Sequence, residues 1–391
     1  MENVYEVALK KHEEWKGKID TNIRCEVRDA EDLSLAYTPG VAEPCRKIHE
    51  DVENAYKYTW KGNIVAVVSD GTAVLGLGDI GPEAALPVME GKSVLFKKFG
   101  GVNAVPIVLN TKDPKEIIST VKAIAPTFGG INLEDISAPR CVEIERTLIK
   151  ELDIPVFHDD QHGTAIVVTA GLINAFKLLN KDPKDSVAVV SGAGAAGSSI
   201  IRMMKSLGVG NIYAFDSKGI LSRKNFEKYN FVKKEILEIT NNDDEDLTIA
   251  EAMAKSDIFI GVSTAGVINA DMVKSMKKDS IVLAMANPEP EINYYVAKEA
   301  GARIVGTGRS DFPNQINNVL AFPGLFKGAL SVRASKITEE MKMAAAVGIA
   351  SMVSDKELSE EHIIPSIFEE GVSDAVAEAV SKCAIEQGLT K

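Results

Sequence analysis

The stretch SVAVVSGAGAAGSSIIRMMKSLG, Ser186 to Gly208, decides the fold. SVAVVS (186–191) is a short apolar run, as expected of a strand buried on both faces. It leads directly into GAGAAG, where Gly192, Gly194 and Gly197 fit G-x-G-x-x-G. A helical pattern opens at Ala195 and closes at Gly208. The next strand pattern, NIYAFD, ends on Asp216, 19 positions after Gly197. Strand, glycine turn, helix and a distant acid are together the dinucleotide-binding context. The glycines let backbone approach a pyrophosphate, and the helix N-terminus offers free N–H groups and a positive dipole. Gly192, Gly194, Ala195, Ala196 and Gly197 are expected around the phosphates of NAD or NADP, with Asp216 on a ribose hydroxyl. The carboxylate favours NAD, because it repels a 2′-phosphate. Ser217, Lys218 and Arg223 follow and could accept that phosphate, so tolerance of NADP is expected.

Outward from this unit, strand and helix patterns alternate. IPVF (154–157), DIFIGVS (257–263), SIVLAMANP (280–288) and ARIVGTG (302–308) read as strands, and GTAIVVTAGLINAFKLL (163–179) as a helix. In the first half, NIVAVVS (63–69) and AVPIVL (104–109) read as strands and PKEIISTVKAIA (114–125) as a helix. The chain ends in helical patterns at 337–353 and 372–388. The expected fold class is α/β: a Rossmann-type doubly wound parallel sheet, plus an α/β substrate domain with C-terminal helices. The expected division is 1–158 for the substrate domain, 159–318 for the nucleotide domain, and 319–391 for helices packing back on the first.

A second G-x-G-x-x-G, GLGDIG (76–81), lacks this context. Pro82 follows at once, Pro87 is expected to interrupt any long helix, and AVPIVL ends without an acid. On pattern alone it is a glycine-rich loop or a plain turn.

Bulk numbers narrow the class. The 391 residues carry a net charge of −12, a poor match to a nucleic-acid backbone. No apolar run reaches the ~18 residues of a membrane span, and the N-terminal stretch has no secretory h-region. Four widely spaced cysteines without C-x-x-C suggest reduced thiols in a cytoplasm.

Two acidic pairs fall near strand ends: Glu134–Asp135 in INLEDI and Asp159–Asp160 in VFHDDQHGTA. Each alone reads as a solvated loop or a helix cap. Together, in a nucleotide fold, they suggest a hard divalent cation such as Mg²⁺ or Mn²⁺. A zinc reading of His158 and His162 is weaker, because His158 lies at a strand end rather than on a helical face.

YTPGVAEPC (37–45), SDGTAVLGLGDIGPEAALPVMEGKSVLFKKFGGVNAVPI (69–107), INLEDI, VFHDDQHGTA, SGAGAAG, ANPEPEI (286–292) and GRSDFPNQINNVLAFPG (308–324) resemble the malic enzymes, in particular the short microbial form. The resemblance covers almost the whole chain in the family's order. It implies metal-dependent oxidative decarboxylation of L-malate to pyruvate and CO₂ with reduction of NAD(P)⁺. It implies Lys92 as general base, Tyr37 as general acid, and Glu134, Asp135 and Asp160 as metal ligands. Asp159 would hydrogen-bond the base. Asn287 and Asn318 would bind a substrate carboxylate or the nicotinamide side. GLGDIG would be a loop of the substrate domain close to the active site, and a homodimer is expected.

Without the resemblance, Lys97 or Lys98 would serve as well as Lys92, and Tyr37 could merely pack a turn. One departure is visible. Longer members carry a malate-binding arginine before this glycine loop, whereas GTAVLGLG has none. The chain is also too short for the acyltransferase-like extension of some members, so regulation through it is not expected. A malolactic enzyme or an oxaloacetate decarboxylase could use the same site. An amino-acid dehydrogenase would not explain the acidic set. A nucleotide sensor would not need Lys92, Tyr37 and the ligands all present.

Overall fold

In the computed structural model, which describes residues 3–391, two sheets carry the chain. The first contains β1 (Ile64–Ser69), β2 (Asn103–Val108), β3 (Gly130–Leu133) and β4 (Val156–His158), all parallel, in the order β2–β1–β3–β4. The second contains β5 (Val187–Ser191), β6 (Asn211–Asp216), β7 (Gly219–Ile220), β8 (Ile258–Gly261), β9 (Ile281–Ala284) and β10 (Ile304–Thr307). Its order is β10–β9–β8–β5–β6–β7, parallel except for the short β6–β7 pair.

Every residue of β1 is buried, as a central strand covered on both faces requires. β2 is half-buried and lies at an edge, which is why it tolerates Pro106. In each sheet the chain goes to one side of a central strand and then returns to the other. β1 precedes β2 on one flank and β3 on the other; β5 precedes β6 and then β8. Such a reversal opens a crevice beyond the C-terminal ends of the strands.

The helix after GLGDIG runs unbroken from Pro82 to Gly100, contrary to the expectation that Pro87 would interrupt it. Pro82 occupies the helix start, where its missing N–H and fixed φ fit. Pro87 lies on the exposed face, so the Glu83 carbonyl it leaves without a donor can meet water. The helix placed near Gly163 begins at Asp159, so Asp159 and Asp160 stand in its first turn rather than ahead of it. It ends at Leu179 and is the one helix among the described residues long and apolar enough to cross a membrane. Most of it is buried, as in a core helix.

C-terminal helices Phe322–Ser331, Glu339–Ser351 and Val372–Glu386 follow. Phe322 and Phe326 meet Phe96 of the long helix edge-on, with ring centroids 4.7 and 5.3 Å apart, and Phe326 also meets Phe157 on β4. Each such ring contributes about 1.5–3 kcal/mol by burial alone. The N-terminal helices Val4–Trp15, Ala30–Ala36 and Ala42–Glu50 bury no residue, and Tyr5, Leu9, Ile23, Leu35 and Tyr37 stay exposed.

Candidate active site

The acidic pairs meet because of strand register. β3 and β4 are neighbours with Leu133 opposite His158, so the residues that follow, 134–135 and 159–160, emerge side by side. Ligand atoms of Glu134, Asp135 and Asp160 lie within 4.8 Å of one another. Asp135 takes a left-handed φ of 52° and donates its backbone N–H to Asp160 Oδ2 at 2.7 Å. Asp160 is the open member, its side chain 36% exposed.

Lys92 reaches this cluster from the helix Pro82–Gly100 and is 7% exposed. Its Nζ lies 2.6 Å from Asp159 Oδ2, 2.9 Å from Glu134 Oε1 and 4.2 Å from the centre of the Phe322 ring. Lys97 and Lys98 point to the surface. Asn318 also donates to Asp159, and Asn132 donates to Glu134 Oε2 at 2.8 Å. A Cβ at position 163 would fall 2.1 Å from Asp159 Oδ1 and 2.9 Å from Asn318 Cβ, so a side chain there would push the Asp159–Asn318 pair out of place.

One ammonium faces four carboxylates. Burial, helped by the charge of its neighbours, pushes Asp135 up to about 9. Burial also raises Glu134 and Asp159 to about 7 and Asp160 to about 6, although Lys92 opposes it. Burial alone would lower Lys92, but Asp159 and Glu134 outweigh it and hold the ammonium above the usual lysine range. Asp135 Oδ2, Asp159 Oδ1 and Asn132 Oδ1 are buried acceptors with no donor. Surplus negative charge, unpaired acceptors and an all-oxygen donor set fit a hard divalent cation.

Neither histidine hydrogen-bonds these acids, although His158 Nδ1 lies 3.9 Å from Asp160 Oδ2. His162 bonds Glu145 Oε2 at 2.9 Å and Ser199 Oγ at 2.7 Å. His158 is fully buried and lowered to about 4, burial being the main cause. Glu145, which the sequence did not single out, accepts from the His158 backbone and Gln161 as well as from His162, and so ties down the turn that carries Asp159 and Asp160.

The loop that leads from β1 to GLGDIG touches the cluster, since the Ala73 N–H donates to the Asp135 carbonyl at 2.9 Å, while residues 76–79 of the motif are exposed. Beneath this loop is Arg140, also missed in the sequence. It sits 3.1 Å from Asp70 Oδ2 and donates to Thr72 and Ser137.

At the second crevice, Gly192 has φ 110° and passes so close to β8 that a Cβ would lie 2.5 Å from the Val262 carbonyl. A Cβ on Gly197 would lie 1.8 Å from the Gly192 carbonyl, whereas Gly194 faces open space. The helix Ala195–Ser206 starts here without a side-chain cap, so Ala195 and Ala196 present free N–H groups to the opening. This is the cradle a pyrophosphate needs. Asp216 ends β6, and its carboxylate is paired with Lys233 at 2.6 Å. Arg223, a candidate for the 2′-phosphate, is instead committed to the carbonyls of Asn241 and Leu237. Asn287 is exposed on the loop after β9. Tyr37 stands outside the buried cluster, 67% exposed, with no hydroxyl partner among the described residues.

The malic enzyme N-terminal domain family matches residues 16–149, and the malic enzyme NAD-binding domain family matches 161–385. A Bacillus subtilis protein named bifunctional malic/malolactic enzyme is 58% identical over 99% of this chain and 94% of its own. An NAD-dependent malic enzyme of Geobacillus stearothermophilus is 55% identical over 96% of this chain and 78% of its own. The crystal structure of a Pyrococcus horikoshii malic enzyme superposes with a TM-score of 0.96 at 48% identity, covering 100% of this chain and 92% of that one. The two family matches span most of the chain and the relatives cover it almost end to end, so the chain belongs to the malic enzyme family.

Proposed function

We propose that this chain catalyses the divalent-metal-dependent oxidative decarboxylation of L-malate to pyruvate and CO₂ with reduction of NAD(P)⁺. The carrying observation is one buried lysine among four carboxylates at the strand ends of the first sheet. Glu134, Asp135 and Asp160 would hold Mg²⁺ or Mn²⁺, and GAGAAG with Asp216 would hold the dinucleotide. When bound, the cation supplies positive charge against the C2 oxygen, and the nicotinamide supplies a hydride acceptor.

Lys92 takes the proton of the C2 hydroxyl. Asp159 and Glu134 keep it protonated at rest. With Glu134 serving as a ligand, part of that hold would be lost and burial would favour the neutral amine, its proton passing to the hydrogen-bonded Asp159. Asp159 and Asn318 fix the position of the amine. Asn287 and Asn318 bind a substrate carboxylate or the nicotinamide side. Tyr37 returns a proton to C3 after CO₂ leaves.

A proton donor at C3 works best out of water, and Tyr37 is exposed together with Leu35, Ile23 and other apolar side chains of the N-terminal segment. That surface fits a homodimer, in which a second copy covers it.

A second reading is malolactic conversion, with lactate as product and no net reduced cofactor. The printed name of the Bacillus subtilis relative favours keeping it. Oxaloacetate decarboxylation would use the same residues. The test is absorbance at 340 nm with L-malate and Mn²⁺, with NAD⁺ and NADP⁺ in parallel, repeated with EDTA, followed by identification of the product. A metal-dependent rise with pyruvate supports the proposal. Lactate without a rise supports the second reading, and no malate consumption contradicts both.

A further inference from the structure

His162 bridges the two crevices. It stands in the first turn of the helix Asp159–Leu179, directly after the turn that carries Asp159 and Asp160. Its Nε2 lies 2.9 Å from Glu145 Oε2 on the helix Arg140–Glu151, and its Nδ1 lies 2.7 Å from Ser199 Oγ on the helix Ala195–Ser206. Glu145 and Ser199 are both buried, and Ser199 follows Gly197 of the dinucleotide cradle by two positions. Lys342, buried on the helix Glu339–Ser351, brings its Nζ to 3.2 Å from the same Nδ1. An ammonium can only donate, so Nδ1 accepts and Nε2 carries the hydrogen that Glu145 takes. Ser199 then donates its hydroxyl hydrogen to Nδ1, and the ring is held from both sides.

A second bridge joins the helices of Glu145 and Ser199 on the outside, where Arg146 and Arg202 both meet Glu235, at 2.7 and 2.6 Å. Its side chains are partly exposed, so water screens it and it contributes little. The buried bridge is the one able to pass a shift of the acidic turn to the helix at the cradle.

We infer that His162 couples the two sites: through Glu145 and Ser199 it ties the placement of the acidic turn to that of the cradle helix, so that a bound cation tightens dinucleotide binding. This rests on the metal and dinucleotide readings proposed above. Each ligand needs its own end of the bridge in one placement, and whichever binds first orders the bridge for the other. His162 is thus a positioning residue, acting through the groups it holds.

The test is fluorescence titration of the purified full chain with NADH, once in EDTA and once in saturating Mn²⁺, without malate. Mn²⁺ binding is followed in parallel by electron paramagnetic resonance. Wild type, Ser199→Ala, His162→Gln and Arg146→Ala are compared, with thermal melting to confirm folding. Glutamine keeps a donor near the place of Nε2, facing Glu145, and has nothing at the place of Nδ1. The readout is the ratio of the NADH Kd in EDTA to that in Mn²⁺, a quantity that a general loss of stability does not set. We expect a wild-type ratio of about five or more. Ser199→Ala and His162→Gln should bring it below about two, while the NADH Kd in EDTA stays within about threefold of wild type. Arg146→Ala should keep the wild-type ratio. A wild-type ratio near one, a ratio that survives in folded Ser199→Ala, or an equal loss in Arg146→Ala would overturn the inference while leaving both sites standing. Failure of wild type to bind Mn²⁺ or NADH would overturn the inference together with the site proposed for that ligand.

Discussion

The loop after β1 and the loop after β5 leave their sheets at the same kind of place, a central strand where the chain changes its direction of travel. Both contain G-x-G-x-x-G, and both run into a helix. They differ in what the backbone does next. After β5 the helix opens within the motif at Ala195, and Gly192 and Gly197 are packed too tightly for any side chain. The result is a bare, uncapped helix end with open space at Gly194. After β1, Gly76, Gly78 and Gly81 all have positive φ but meet nothing, the helix waits until Pro82, and the loop bonds to Asp135. One loop has the bare helix end and open space that the proposed dinucleotide site would use. The other leaves the acids of β3 and β4 to form the site, touching them through Ala73. A glycine motif thus reports a place in the fold, and the chemistry comes from what the neighbouring strands bring to it.

The largest expected effect separates the two crevices. Lys92→Ala should lower kcat with malate by ~10²–10⁴-fold, the range of a positioned general base, while the NADH Kd stays near wild type. A kcat within tenfold of wild type would remove Lys92 as the base. On the other side, Gly197→Val puts a side chain where even a Cβ meets the Gly192 carbonyl at 1.8 Å. NADH binding should then be lost and Mn²⁺ binding retained. Retained NADH affinity would mean that the cradle is elsewhere.

The crowded carboxylates also predict a pH dependence. Asp135, Glu134 and Asp159 are raised to about 9, 7 and 7, above their unfolded values, so the folded metal-free chain binds more protons than the unfolded chain below pH 9. Its stability therefore rises as pH falls through that window, until His158, lowered to about 4 from 6.5, begins to oppose it. Melts in EDTA should give a Tm a few °C higher near pH ~6.5 than near pH ~9, and saturating Mn²⁺ should flatten the difference. A level EDTA profile would argue against the crowding. The smallest effect belongs to Pro87. Pro87→Ala restores an N–H donor on an exposed helix face, so Tm should change by no more than ~2–4 °C with kcat unaltered.

What could be read from the chain follows the range of the signals. Strand, glycine turn and helix at 186–208 are local, and the structure places each element within two residues of its pattern. The choice of Lys92 over Lys97 and Lys98 was also present in the sequence, as helical phase. Lys92 shares a face with Ala85, Met89 and Phe96, while the other two lie off it. Pro87 hid that helix and with it the phase. The meeting of Glu134–Asp135 with Asp159–Asp160 depends on the β3–β4 register, which no local pattern states. The Asp216–Lys233 pair joins residues 17 positions apart through a helix cap, and Arg140 meets Asp70 across 70 positions, so neither shows in spacing.

The central claim is that the two crevices hold separate sites, metal at the first and dinucleotide at the second. It is tested most directly by measuring Mn²⁺ and NADH binding in parallel on wild type and Asp160→Asn. Loss of Mn²⁺ affinity by ~10-fold or more in Asp160→Asn, with an unchanged NADH Kd, is the expected result. Undiminished Mn²⁺ binding in that variant would contradict the account.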